Sequence, residues 1–89
     1  MGNVLIVYKV YEEELGQETQ IEVDIKALAL PDQVKLQEVR IEPLAFGLKL
    51  LRVAFTWPDK VSGIQEKIDE LLKNVKNVRE IEVERTTLI

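Results

Sequence analysis

Few side chains in this chain of 89 residues could perform covalent chemistry near neutral pH. It contains no cysteine and no histidine, which excludes a thiolate nucleophile, a disulfide, a zinc–sulfur site and the usual general base. Its four glycines stand apart, and Ser62 with Gly63 at a predicted helix start could hold an anion only weakly. Carboxylates such as Asp69 and Glu70 fall on the polar side of that helix, typical of a solvated face. We therefore predict no catalytic residue and no metal site, and do not expect an enzyme.

The residue best suited to binding is an aromatic one in a predicted turn. Phe46 lies between Pro43, which favours an extended Glu42 and removes one backbone donor, and Gly47, which can adopt positive φ or let another chain approach closely. Such a turn leaves little room beneath the ring, and aromatic side chains are favoured at interfaces. We predict that Phe46 contacts a partner, whereas Trp57, at the end of a predicted strand, is interpreted as part of the core.

Length and composition predict one domain over residues 1–89, since so short a chain cannot bury two cores. A net charge of −4 argues against nucleic-acid binding, which needs clustered lysine and arginine, and is compatible with a protein partner or simply with solubility. The apolar runs are too short for a membrane span, and the start shows no evident secretory signal, so we expect a cytoplasmic protein.

Hydrophobic periodicity predicts six elements. The strands show β-branched, alternating patterns, and the helices repeat apolar residues at i, i+4 and i+7. The predicted order is a strand at Asn3–Tyr11, a helix from Ile21 to a stop at Pro31, strands over 33–42 and 48–57, a helix from Ser62 to Val75, and a strand at Val78–Arg85.

Local signals refine these elements. The parity of the apolar pattern changes at Gln37 and Glu38, which predicts a bulge. A helical turn from Asp32 is the less favoured alternative. Ser62 and Gln65 match a capping box. The acidic connection that begins Glu12–Glu14 is predicted to be a solvated face, and Thr86–Ile89 a short tail.

The order strand, helix, strand, strand, helix, strand predicts an α+β, ferredoxin-like split βαβ sandwich, in which a four-stranded antiparallel sheet carries both helices on one face. The other face would be open to water or to a partner. RNA-recognition modules share this topology, but the aromatic-rich, basic motif they need is missing here, and so is the arginine-bearing glycine loop of an acylphosphatase.

The segment Glu42–Lys49 closely resembles the signature of the archaeal elongation factor 1-beta family, the guanine nucleotide exchange factors of elongation factor 1-alpha. Met1–Val10 is similar to the first strand of that family, and Glu22–Ile25 to the start of its first helix. The resemblance covers nearly the whole chain. It implies the same split βαβ fold and a role in protein biosynthesis.

The resemblance implies a protein-contact mechanism in which GDP, GTP and magnesium belong to the partner and the chain has no cofactor of its own. Phe46 would wedge into the carrier, Lys49 and Arg52 would meet its acidic groups, and the C-terminal strand would disturb magnesium or phosphate contacts. The first helix is shorter than the family pattern, and Thr86-Thr87-Leu88 stands where relatives carry a basic residue before a terminal leucine. The expected partner-binding residues are Pro43, Ala45, Phe46, Gly47, Lys49, Arg52, Arg85, Thr87 and Leu88.

The alternative is a regulatory or scaffold module of the same fold that pairs sheet faces or edges in a homodimer. In that case Phe46 would be a structural side chain, and its truncation would destabilise the domain as a core residue does. The sequence leaves the oligomeric state open.

Overall fold

The computed structural model describes residues 2–89, so Met1 of the predicted domain lies outside the described residues. The chain forms a four-stranded antiparallel sheet of order β2-β3-β1-β4 and two helices, which confirms the predicted ferredoxin-like α+β fold. The elements are β1 (Asn3–Glu12), α1 (Glu18–Lys26), β2 (Lys35–Pro43), a short 3₁₀ turn (Ala45–Gly47), β3 (Lys49–Pro58), α2 (Ile64–Lys73) and β4 (Val78–Leu88).

The core lies between the helices and one face of the sheet. Successive strand residues point to opposite faces, so alternate residues of the central strands β1 and β3 share the helix side. Phe55 pairs with Ile6 across the two strands, and both are fully buried. Trp57 is 6% exposed and belongs to the core, as predicted. Against these strands the helices pack Ile21, Ile25, Ile64, Ile68 and Leu72.

The predicted bulge in β2 is confirmed. Its register against β3 shifts between Leu36 and Glu38, which leaves Gln37 as the extra residue. The Gln37 amide nitrogen donates to the Thr56 hydroxyl at 2.7 Å. The shift keeps Leu36 and Val39 on the core side, where both pack against the buried cluster.

The predicted helix limits are partly wrong. The first helix starts before Ile21, at Glu18, and stops well before Pro31, at Lys26. Its last turn is tightened, since the Ala27 N–H is shared between the carbonyls of Val23 and Asp24. The second helix begins at Ile64, with Gly63 at its N-cap and no side-chain cap. The predicted capping box of Ser62 and Gln65 is therefore incorrect: the cap position has φ 77°, which suits glycine.

The predicted tail is also wrong in part, because Thr86, Thr87 and Leu88 continue β4 and pair with β1. A register shift between Val7 and Tyr8 accommodates the longer strand. Threonine is β-branched and favours such an extended, paired conformation. As a result β4 is an edge strand along its whole length.

One polar contact joins the sheet to α2 inside this core. The hydroxyl of the fully buried Tyr8 donates a hydrogen bond to the Asp69 carboxylate, so the prediction that Asp69 lies on a solvated face is wrong. Burial raises the pKa of Tyr8 well above its usual range, and the bond and charge of Asp69 and the charge of Glu66 raise this pKa further. The folded chain therefore keeps this proton at a pH where the unfolded chain loses it.

We expect Tyr8→Phe to cost about 2 kcal/mol at pH 7, because a hydrogen bond to a charged group is lost. Since the folded pKa is raised, this stabilisation is fully present below the unfolded pKa near 10 and is lost as the pH rises above it. Urea unfolding of wild type and variant at pH 7 and pH 11 should show a gap smaller by about 1 kcal/mol at pH 11. A gap that does not change with pH would contradict this account.

Candidate functional site

The turn between β2 and β3 presents Phe46 to solvent. The ring is 95% exposed, and the residue adopts φ 61°, followed by Gly47 at φ 78°. Two backbone hydrogen bonds close the turn, from Leu44 N to Leu48 O at 2.7 Å and from Leu48 N to Ala45 O at 3.3 Å. A left-handed conformation is strained for a bulky residue, and such strain occurs most often at functional sites. The predicted exposure of Phe46 is confirmed, and its contact with a partner stays a prediction.

Other exposed apolar side chains lie on or next to this turn. Leu44 is 41% exposed, Leu48 38%, and Leu15, from the loop between β1 and α1, 60%. The Leu15 methyl carbon Cδ2 would lie 3.9 Å from a Cβ placed on Gly47, so the two loops are neighbours. We call Leu15, Leu44, Phe46 and Leu48 the apolar end. We did not predict Leu15 as a site residue from the sequence. The one sequence signal for it is that it is an isolated apolar residue in a polar connection.

The side chain of Glu12 joins these two loops by hydrogen bonds to the backbone of each. Its side chain is 2% exposed; Oε1 accepts the Gln17 N–H at 3.1 Å, and Oε2 accepts the Lys49 N–H at 2.8 Å. The prediction that Glu12 belongs to a solvated acidic face is therefore wrong. The parity of β1 could have shown this, because Glu12 follows Tyr8 and Val10 on the core side.

Two of the three predicted cationic site residues, Lys49 and Arg52, already face carboxylates of this chain. The Lys49 Nζ atom lies 3.8 Å from a carboxylate oxygen of Glu18. The Arg52 guanidinium donates to both carboxylate oxygens of Glu42, at 2.9 and 3.0 Å, and also pairs with Glu84. The hydrogen bonds from Arg52 lower the pKa of the Glu42 carboxyl below its usual range. Arg52 therefore lies on the open face of the sheet, where these carboxylates balance its charge. It does not lie beside Phe46.

The structure places the predicted C-terminal site residues away from the apolar end. Thr87 pairs with Leu5 and Leu88 with Val4, at the opposite end of β1 from Glu12. The span from Val4 to Glu12 is about 27 Å at the rise of an antiparallel strand. The turn residues Pro43, Ala45, Phe46, Gly47 and Lys49 thus form one group, and Thr87 and Leu88 form another at the far end, with Arg85 a little further along β4.

The surface of the sheet has shallow hollows. A hollow of about 320 Å³ near its middle is lined by Val7, Ala54 and Arg85 among others, and a larger one of about 650 Å³ lies near Leu5 and Ile89. Within residues 2–89, no cluster of three or more acidic side chains could hold a metal ion. In the same range, no helix has the length and apolarity needed to cross a membrane.

The fold recurs in a solved structure of low sequence similarity. The ACT domain from the GTP pyrophosphokinase of Chlorobium tepidum superposes with a TM-score of 0.58 at 14% identity, covering 93% of this chain and 99% of that one. This likeness concerns the fold alone.

Relatives of higher identity cover nearly the whole chain. The elongation factor 1-beta of Ignicoccus hospitalis is 37% identical over 84 residues, covering 94% of this chain and 89% of the relative. That of Metallosphaera sedula is 38% identical over 85 residues, with coverages of 93% and 91%. That of Methanoculleus marisnigri is 33% identical over 91 aligned positions and covers both chains completely. The sequence pattern of the EF-1 guanine nucleotide exchange domain matches residues 5–89. The chain belongs to this family of EF-1 guanine nucleotide exchange domains, to which its resemblance to the archaeal elongation factor 1-beta proteins had pointed.

Proposed function

We propose that this protein promotes the release of GDP from elongation factor 1-alpha, and its replacement by GTP, through protein contact alone. Membership of the exchange-domain family supports the type of activity. The observation that carries the proposal is the Phe46 ring, 95% exposed on a tight turn at the apolar end. An aromatic ring held clear of its own domain gains apolar contact only when it meets another surface.

The mechanism requires no bond-making chemistry. A nucleotide held at nanomolar affinity lies in a free-energy well of about 12 kcal/mol, so its spontaneous release is slow. An exchange factor binds the empty carrier more tightly than the loaded one. By linkage, it then weakens nucleotide binding by the same factor. GDP, GTP and magnesium are ligands of the carrier in this scheme, and the chain supplies only its surface.

Phe46 is the wedge in this proposal, and its neighbours determine how close it can come. Gly47 has no side chain, so its backbone can approach the carrier closely. The hairpin turn is short and closed by its own hydrogen bonds, so less conformational entropy is lost on binding. To bind acidic groups of the carrier, Lys49 would have to release Glu18, and Arg52 would have to release Glu42.

The C-terminal group acts at a second place on the carrier. Because Thr87 and Leu88 pair with the end of β1 opposite to Glu12, and that strand spans about 27 Å, one domain can contact two separated parts of a larger protein. Leu88 is 69% exposed there, whereas Thr87 supplies no charge at the position where the family carries a basic residue. The cation nearest to Thr87 in the sequence is Arg85, and we expect Arg85 to disturb the magnesium or phosphate contacts.

Stopped-flow release of a fluorescent GDP analogue from elongation factor 1-alpha tests the proposal. The release rate should rise with the concentration of this protein and then saturate. An unchanged rate at saturating wild-type protein, with a carrier shown to bind nucleotide, would refute it.

Leu15 should contribute to the same contact. We expect Leu15→Ala to raise the concentration needed for half-maximal release about fivefold, since truncation of an interface side chain commonly costs about 1 kcal/mol. The matched control is Glu14→Ala, which truncates an exposed neighbour in the same loop without removing an apolar contact. Equal effects of the two variants would exclude Leu15 from the docking surface.

A further inference from the structure

The turn that carries Phe46 contains no buried residue. All residues over 43–48 are exposed, and the only backbone bonds within the turn are the two that close it. Because Phe46 is 95% exposed, burial of its ring does not fix the direction in which the ring points. The direction of the ring must therefore be fixed at the base of the turn, and that base is Lys49, the first residue of β3.

The amide of Lys49 lies just beyond the β1–β3 ladder. The paired register ends at Tyr11 and Leu50, so no backbone carbonyl of β1 is paired with Lys49. The Glu12 carboxylate takes that place through its 2.8 Å bond to the Lys49 N–H. Hydrogen bonds to carboxylates are shorter and stronger than those to neutral acceptors.

The same carboxylate holds the neighbouring loop. Its other oxygen accepts the Gln17 N–H at 3.1 Å, and the Gln17 side chain in turn accepts the Glu14 N–H at 2.9 Å. Leu15 lies within this short segment. The two loops of the apolar end thus share one anchor, because each oxygen of the Glu12 carboxylate accepts an amide N–H from a different loop.

We propose that Glu12 is a positioning residue of the exchange surface, which holds the Phe46 turn and the Leu15 loop in the arrangement that the carrier binds. This inference rests on the proposed function. An apolar side chain at this core-side position would avoid the cost of burying a carboxylate. The carboxylate instead fixes the direction of two backbone amides, those of Gln17 and Lys49.

Glu12→Gln tests the proposal, with Glu13→Gln as its matched control. Glutamine has one acceptor oxygen and an NH₂ group that cannot accept, so it can serve only one of the two amides. Glu13 is exposed, and its side chain makes no hydrogen bond or ion pair among residues 2–89, so the control removes the same charge without removing an anchor.

In the folded Glu12→Gln variant, the amide proton resonance of Lys49 or Gln17 should move upfield, and the backbone order parameter of Phe46 should fall below about 0.6. When the binding-competent arrangement is only partly populated, apparent affinity falls by that fraction. The half-saturating concentration in GDP release should therefore rise about fivefold to tenfold, while the maximal rate stays the same. Glu13→Gln should match the wild type in each measurement.

Two results would overturn the inference: a folded Glu12→Gln variant with wild-type half-saturation, or one that loses maximal rate with half-saturation unchanged. If Glu12→Gln does not fold, Glu12→Asp carries the same test, because its carboxylate is one methylene too short to reach both amides. If wild-type protein fails to accelerate release, the proposed function fails. The order parameter of Phe46 would still decide whether Glu12 fixes the turn.

Discussion

Phe46→Ala is expected to lower the stimulation of GDP release about 30-fold or more, the loss that accompanies removal of a central aromatic contact at an interface. The free energy of unfolding should change by no more than about 0.5 kcal/mol, because the ring is 95% exposed and touches little of its own domain. Alanine retains a Cβ, so the strain of the left-handed backbone remains in the variant. The comparison therefore isolates the ring.

The measurement pairs stopped-flow GDP release with urea unfolding of the same preparations. Val23→Ala is the control, since it truncates another exposed apolar side chain, 53% accessible, on α1. Full activity of Phe46→Ala would rule out the wedge. A large loss of stability would support the alternative in which Phe46 is structural.

Phe55→Ala should have the opposite effects. Phe55 is fully buried between the helices and the sheet, and its ring meets Tyr8 edge-on with centroids 6.1 Å apart. Truncating a buried phenylalanine removes apolar burial and leaves a cavity, which costs about 3–5 kcal/mol. Urea unfolding should show this loss, while exchange per folded molecule should stay near the wild-type level. A cost below about 1 kcal/mol would contradict the assignment of Phe55 to the core.

The chain contains only two phenylalanines, so the same substitution can be tested in an exposed and in a buried environment.

In the scaffold alternative, Phe46 would also belong to the structural framework. Its exposure contradicts that part of the alternative. Sheet pairing between copies is further disfavoured at β4, where Glu80, Glu82 and Arg85 are exposed along the edge.

The fold could be predicted because its strongest sequence signals are periodic. The alternation in β1 and β3 separates the two faces of the sheet, and the parity change at Gln37 locates the bulge. Helix ends were less predictable. Ser62 is a good capping residue by type, but the chain reaches the helix through a left-handed Gly63, and a sequence pattern does not show that backbone choice.

The site could be predicted only where it is local in sequence. Phe46 is exposed because it lies in a tight turn between Pro43 and Gly47. The distance between that turn and Thr87 depends on the pairing of β4 with β1, which becomes known only when the strands are assembled. Glu12 was misjudged because its acidic neighbours suggested a solvated run, whereas its bonds go to amides that are distant in sequence.

The most direct test of the central claim is photocrosslinking from position 46. Phe46 would be replaced by a photoreactive benzoyl derivative of phenylalanine, and the same group placed at Val23 would serve as the control. Irradiation with nucleotide-free elongation factor 1-alpha should join the carrier to position 46 and not to position 23. Efficient nucleotide release without any crosslink from position 46 would contradict the account.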